Sequence, residues 1–281
     1  MYAHPEVLVN TSWVEENIDN KDVRILEVDY DPENAYEEGH IKNAALIWWR
    51  KDINDQLRRD ILTKEEFEKL MSKLGVKRDT TIILYGDFNN WFAAFAFWVF
   101  KYYGHEDVRI MNGGRKRWEM DKKSYTKDIP TFEPTNYKVS TIHEEYRAYY
   151  EEVKRIVDTN PKDYVLIDVR SPKEYSGEIT APPEYPMEHA QRGGHIPKAK
   201  NIPWAQAVND DGTFKPIEEL KRIYESQGIT KDKKVIAYCR IGERSSHTWF
   251  VLKYLLGYEN VKNYDGSWTE WGNMIRNPIE K

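Results

Sequence analysis

Cys239 closes an apolar run, Val235-Ile236-Ala237-Tyr238. It is followed by Arg240-Ile241-Gly242-Glu243-Arg244-Ser245-Ser246 and then by a helical-looking stretch from His247 to Leu256. The order reads as strand, tight loop, helix. A thiol at that junction faces unpaired backbone N–H groups and the positive end of the helix dipole. Arg240 and Arg244 add two full charges. Each of these influences favours thiolate over thiol, and the thiolate is the nucleophile. A free cysteine titrates at about 8.5, and such surroundings lower that to roughly 3.5–7.5. The expectation is therefore an ionised nucleophile at Cys239. On residue type alone a lone cysteine is a small buried apolar group; the loop around it is what argues for reactivity.

Within the loop, the backbone N–H groups from Ile241 to Ser245 are expected to form a nest around the sulfur. Gly242 supplies a backbone conformation that a side chain would strain. Ser245 and Ser246 suit either a hydrogen bond to the sulfur or a helix N-cap. Glu243 opposes an anionic substrate and is read as a solvated side chain pointing away. A third arginine, Arg170, follows Asp168-Val169 at the end of another apolar run. It can meet an anion, or pair with Asp168 or Glu174, since residues i and i+2 of a strand face one side. The seven histidines show no ligand spacing, so neither a metal nor a cofactor is expected.

Two similar halves must position these groups. Gly257-Tyr258-Glu259-Asn260-Val261 with Asp265-Gly266-Ser267-Trp268 and Trp271 echoes Gly104-His105-Glu106-Asp107-Val108 with Asn112-Gly113-Gly114-Arg115 and Trp118, at a constant offset of 153. Leu26-Glu27-Val28 resembles Ile167-Asp168-Val169, and Gly39-His40-Ile41 resembles Gly194-His195-Ile196. The second half carries extra residues around 180–191. A repeat this long means two domains rather than a solenoid, whose units run ~20–50 residues. The reading is residues 1–125, a linker over 126–143 where Pro130 and Pro134 interrupt any pattern, and residues 144–281. In the second half, helices are expected over 148–159 and 217–227, strands over 164–169 and 234–238, and a long helix ending at Leu256. Strands alternating with helices imply a mostly parallel sheet flanked by helices, an α/β fold. Ligands sit beyond the C-terminal ends of such strands, which is where Cys239 and Arg170 fall.

Bulk properties agree with a packed enzyme-like chain. The 281 residues are 40% apolar and 14% aromatic, with a net charge of −5 and mixed signs throughout. Nothing suggests a nucleic-acid partner. One cysteine excludes an internal disulfide framework and fits a reducing compartment. The N-terminus lacks a basic region followed by an apolar one, and the longest apolar run, 91–100, is short of the ~20 residues that span a bilayer. The expectation is a cytoplasmic protein with no membrane contact.

The Cys239-Arg240-x-Gly242-x-Arg244 loop, the Asp168-Val169-Arg170 strand end, Gly194-His195-Ile196-Pro197 and Asp265-Gly266-Ser267-Trp268 together resemble the tandem-domain rhodanese family, specifically its thiosulfate sulfurtransferases. The resemblance covers nearly the whole chain, including the duplication. It implies two rhodanese-like domains. The cysteine would take the sulfane sulfur of thiosulfate as a persulfide and pass it to cyanide, a dithiol or a thioredoxin-like acceptor. Arg244 and Arg170 would then bind the sulfonate oxygens, as guanidinium forks suit such anions. Arg240 ranks third, because the second loop position is expected to point outward. In the first half, Gly86, Asp87 and Trp91 stand where Cys239, Arg240 and Arg244 are; that domain is read as non-catalytic.

Three rivals are weighed against this. A cysteine phosphatase or arsenate reductase needs five residues between cysteine and arginine, whereas Cys239 and Arg244 enclose four. A 3-mercaptopyruvate sulfurtransferase resembles this chain in fold, but its loop is less basic. A persulfide carrier is the third; with no second cysteine to resolve a persulfide, sulfur must leave to an external acceptor in either case.

Overall fold

The computed structural model describes residues 1–183 and 185–281; Glu184, inside the 180–191 insertion, lies outside the described residues. Packing divides the chain into two units. The amino-terminal unit comprises Glu6–Glu144 and Val208–Phe214, and the carboxy-terminal unit Met1–Pro5, Glu145–Ala207 and Lys215–Lys281.

In the amino-terminal unit, β1 (Leu8–Val9) leads through α1 (Thr11–Glu16) to β2 (Val23–Asp29), β3 (Ala45–Trp48) and α2 (Trp49–Asp52). There follow α3 (Lys64–Lys73), β4 (Thr81–Tyr85), α4 (Trp91–Tyr102), β5 (Val108–Met111) and α5 (Gly114–Met120). The sheet order is β1-β5-β4-β2-β3, and every strand pair in it is parallel. Helices on both faces bury both sides of such strands, so they read as continuous apolar runs; Ile82, Ile83 and Leu84 are fully buried. The apolar run 91–100 is α4, a core helix whose residues are buried apart from Lys101. Among the described residues no helix is long and apolar enough to cross a membrane. Residues 127–142 are irregular and pack on this unit, with Tyr137 buried and its hydroxyl on His105 Nδ1 at 2.9 Å.

The carboxy-terminal unit repeats the plan. Its elements are α6 (Tyr150–Thr159), β6 (Tyr164–Asp168), α7 (Pro172–Tyr175), β7 (Lys200–Asn201), α8 (Ile217–Glu225), β8 (Lys234–Tyr238), α9 (Glu243–Phe250), β9 (Val261–Asn263) and α10 (Ser267–Asn273). The parallel order β7-β6-β8-β9 matches β3-β2-β4-β5. The counterpart of β1 shrinks to a single parallel bridge, Arg147 to Asn263. Amphipathic α6 buries Val153, Ile156 and Val157, and α8 buries Leu220 and Tyr224. Both units are thus α/β domains, each a parallel sheet flanked by helices.

The long helix departs from expectation at both ends. It begins at Glu243 rather than His247, because Gly242 takes φ +99° and caps it directly. The four loop residues Glu243–Ser246 therefore form the first helical turn. At the other end α9 widens into a π-helix over Val251–Leu255, where Leu256 N–H reaches back to Val251 O at 2.9 Å ahead of left-handed Gly257.

Candidate active site

β8 delivers Cys239 to the C-terminal edge of the sheet, and the tight turn to α9 wraps the sulfur. The Cys239 N–H donates to Ser267 Oγ at 3.1 Å, fixing the residue from α10. Gly242 N–H donates to Cys239 Sγ at 3.1 Å, and Ser245 Oγ lies 3.6 Å from it. This is part of the expected nest. Gly242 is required on two counts: its φ is +99°, and an added Cβ would sit 2.8 Å from Asp265 Cα. A side chain there is both strained and obstructed.

Asn263, at the end of β9, locks the turn and was missed from sequence. It accepts from Ser245 Oγ at 2.6 Å, and its amide donates to Ser246 Oγ at 2.9 Å and Gly242 O at 3.2 Å. A buried asparagine closing an apolar strand is the signal that could have exposed it. Ser246 Oγ donates to Gly242 O at 2.7 Å. Both serines are thus held to the loop and to Asn263, with Ser245 alone also reaching the sulfur.

Three expectations are corrected, those for Cys239, Glu243 and Arg240. Cys239 is completely buried; burial first, and the Glu243 charge second, push its thiol up from the ordinary value, against the lowering pull of Arg244 and Ser245. Desolvation penalises the anion, and the Glu243 charge acts in the same direction. Glu243 does not point into solvent: it is fully buried, with Oε2 3.6 Å from Cys239 Sγ. The early helix start explains this: as the first residue of α9, Glu243 is folded back beside the turn that holds Cys239.

Arg240 does not point outward. It is buried, its Nη1 donates to the carbonyls of Tyr185 (2.6 Å) and Met187, and its guanidinium lies over the Tyr185 ring. The 180–191 insertion supplies both carbonyls, so this segment anchors the loop cation. Nε and Nη2 of Arg240 are buried with no hydrogen-bond partner among the described residues.

Arg244 and Arg170 already hold carboxylates. Arg244 forks onto Glu174 at 2.8 and 2.9 Å. Burial works to raise Glu174, but the Arg244 charge outweighs it and holds the carboxyl down to about 2. Ser171 and Glu174 cap α7 reciprocally, which aims Glu174 at Arg244. Arg170 pairs with Asp168 at 2.6 Å and donates to Gly194 O at 2.7 Å. The Asp168 alternative for Arg170 is the one realised; Trp268 lies beneath its guanidinium. Ile241 is buried beside the turn.

In the amino-terminal unit, Gly86, Asp87 and Trp91 occupy the corresponding turn after β4. A Cβ on Gly86 would sit 2.6 Å from Val28 O, leaving no room for a nucleophile. Phe88 stacks on Trp91, and Trp91 and Phe92 are buried. His40 and His195 are held alike, each ring stacked on a tyrosine (Tyr36, Tyr175) and bonded through Nδ1 at 2.9 Å to that tyrosine's carbonyl. These contacts fix both rings in place.

Comparison with known proteins follows this geometry. The Rhodanese-like domain model matches residues 10–121 and again 150–274. The chain is 57% identical to the "Sulfur carrier protein TtuD" of Thermus thermophilus, covering 100% of this chain and 98% of that one. It is 53% identical to a "Putative thiosulfate sulfurtransferase" of Haloferax volcanii, covering 98% and 96%. Among solved structures it resembles wild-type EanB, with a TM-score of 0.88 and 27% identity over 100% of this chain and 70% of that one. It is also similar to an anaerobic ergothioneine biosynthesis enzyme from Chlorobium limicola bound to trimethyl histidine (TM-score 0.86, 28% identity, 98% and 70% coverage). With two model matches, a duplicated parallel sheet and a cysteine turn in only the second copy, this chain belongs to the rhodanese family as a tandem of two rhodanese-like domains.

Proposed function

We propose that this protein is a thiosulfate sulfurtransferase: it moves the sulfane sulfur of thiosulfate to a thiophilic acceptor, cyanide or a thiol, through a persulfide on Cys239. One observation carries the reading. Beside a nucleophilic sulfur cradled by backbone N–H, a buried guanidinium keeps two of its nitrogens, Nε and Nη2, uncommitted. A buried donor without a partner costs about 1–3 kcal/mol, and an anion delivered to Arg240 relieves it.

The assignment of substrate contacts follows from the nitrogens of Arg240 and Arg170 that keep no hydrogen-bond partner among the described residues. Arg240 is placed first as the holder of the sulfonate oxygens. Arg170, which retains a buried Nη1 without a partner, is second. Arg244 acts chiefly through its charge, since its fork is closed on Glu174. At 4 Å two unit charges interact by roughly 4 kcal/mol at an effective dielectric of 20, so Arg240 offsets much of the repulsion a dianion meets here. Attack by Sγ on the outer sulfur breaks the S–S bond of thiosulfate and expels sulfite. The new terminal sulfur anion remains in the N–H cradle until the acceptor removes it.

A second reading is favoured by the name of the Thermus relative: a persulfide carrier that delivers to a protein. Both readings share the loaded Cys239. The acceptor separates them, as do initial rates on thiosulfate against 3-mercaptopyruvate for the donor.

The deciding experiment is intact-protein mass spectrometry after thiosulfate. The expected result is a gain of one sulfur atom on Cys239, discharged as thiocyanate by cyanide and absent in Cys239→Ser. No gain in the wild type, or a gain that Cys239→Ser retains, overturns the proposal. Discharge only by a protein acceptor, with negligible turnover on cyanide, replaces the enzyme by the carrier.

A further inference from the structure

We infer that Glu243 is the proton acceptor for Cys239, taking the thiol proton as the sulfur attacks. This rests on the thiosulfate reading above and adds to it the base that a buried thiol requires. The thiol and Glu243 Oε2 are 3.6 Å apart, the S–H donating to the carboxylate, and both residues are fully buried. Glu243 opens α9 and Cys239 closes β8, and the tight turn between them brings the carboxylate back against the sulfur.

The charges around the pair can be named element by element. From the loop comes Arg240, and from α9 Arg244, whose Nε is 3.9 Å from Glu243 Oε1. From α7 comes Glu174, closed on Arg244. From the turn before α10 comes Asp265, closed on Arg147 at 2.8 Å. Two of these cations are balanced by carboxylates of their own, Arg244 by Glu174 and Arg147 by Asp265. Glu243 thus stands against the reacting sulfur with Arg240 and Arg244 nearby, and the thiol proton is the one labile positive charge they share. A carboxylate beside a nucleophile that attacks a dianion is unfavourable as a fixed charge. As a proton acceptor it is neutral at the moment the dianion reacts.

Glu243 carboxylate takes the Sγ proton and becomes neutral. The Sγ electron pair forms a bond to the outer sulfur of thiosulfate, and the S–S bond of thiosulfate breaks with its pair on sulfite. The products are the Cys239 persulfide anion, sulfite and a neutral Glu243, with the total charge unchanged. Glu243 then passes its proton to sulfite, which leaves as bisulfite. When the acceptor removes the terminal sulfur, Cys239 is left as thiolate and regains a proton from solvent.

The test is the single-turnover rate of sulfur loading at saturating thiosulfate, followed by quenched mass spectrometry against pH, for wild type, Glu243→Gln and Glu243→Asp. In the wild type the proton stays inside the site, and the expected rate is level from about pH 6 to about pH 8, the range a poised acid–base pair serves. In Glu243→Gln the thiol must ionise to solvent; the rate is expected to fall about tenfold per pH unit below the thiol's own titration and to lie about 10²-fold below wild type near pH 6. Glu243→Asp keeps the level profile at a lower rate, which separates proton transfer from loss of shape. If the carboxylate only repels the thiolate, Glu243→Gln is as fast as or faster than wild type near pH 6, and this overturns the inference alone. A wild type that loads no sulfur overturns the thiosulfate reading and this one together.

Discussion

The guanidinium groups of Arg115 and Arg170 hold equivalent stations in the two halves although they hang from different elements. Arg170 follows β6 and joins Asp168 to Gly194 O. Arg115 lies in α5 and joins Glu27 to Gly39 O. Sheet register makes Glu27 the counterpart of Asp168, each opposite a tyrosine of the next strand, Tyr85 or Tyr238. Each tyrosine hydroxyl in turn accepts an N–H at 3.0 Å, from Ile41 or Ile196. Where the second half has Arg170 the first has Asp29, and where the first has Arg115 the second has Trp268. A buried carboxylate at this point of the sheet demands a cation, and the two copies provide it from opposite ends of the fold.

Arg115→Ala and Arg170→Ala are therefore each expected to destabilise their own unit by about 3–5 kcal/mol, the cost of stranding a buried carboxylate. Urea unfolding resolves it. Replacing the stranded acid as well, with Asp168→Asn on Arg170→Ala, should recover part of the loss. Losses under about 1 kcal/mol would show that neither pair is buried in solution.

The same logic separates the two loop arginines. Arg244→Ala strands Glu174, so its main effect is expected on stability, again about 3–5 kcal/mol. A variant that keeps its melting temperature but loses thiosulfate affinity would return Arg244 to the role of direct anion contact.

Arg240→Ala is expected to raise KM for thiosulfate roughly 10–100-fold, as loss of a charged hydrogen bond worth about 1.5–3 kcal/mol implies, with a smaller change in kcat. Steady-state kinetics at fixed ionic strength measures it. An unchanged KM would remove Arg240 from the substrate site.

A pH effect is written into the amino-terminal unit. His105 is buried, with Nε2 2.8 Å from Thr80 O and Nδ1 2.9 Å from the Tyr137 hydroxyl. A carbonyl can only accept, so Nε2 carries the proton and Nδ1 is the acceptor. Burial pushes the ring down to about 4 from an unfolded value near 6.5. A depressed folded value means the stabilisation is complete above about pH 6.5 and is lost as pH falls through about 4, amounting to about 3 kcal/mol. Glu27, pushed up to about 7 by burial, has the opposite sign. The readout is accordingly the difference between wild type and His105→Gln, which should shrink as the pH is lowered across that window. A difference independent of pH contradicts the assignment.

Much of the frame was legible because repeated apolar strands and glycine stops leave a strong pattern. The 153-residue offset placed β4 on β8 and β5 on β9 as the sheets do, and the cysteine turn was found from the apolar run before Cys239 and the Arg240, Gly242 and Arg244 that follow it. What the sequence hid was which charges meet. Glu174 lies 70 residues from Arg244, and the carbonyls that hold Arg240 come from main chain, which carries no residue signature. Reading the helix as starting at His247 rather than Glu243 moved one carboxylate from the sulfur to the solvent. A single left-handed glycine made that difference.

The grip of the Tyr185 and Met187 carbonyls on Arg240 has an evolutionary corollary. A segment absent from the sister half steers the loop cation through two main-chain carbonyls and the face of one tyrosine ring. Lengthening, shortening or re-routing that segment would retune which anion is welcomed while leaving the nucleophile, its turn and the strand beneath it untouched. With Arg240 in its proposed role, donor preference would diversify by indels in a peripheral stretch, out of reach of any search confined to the cysteine motif.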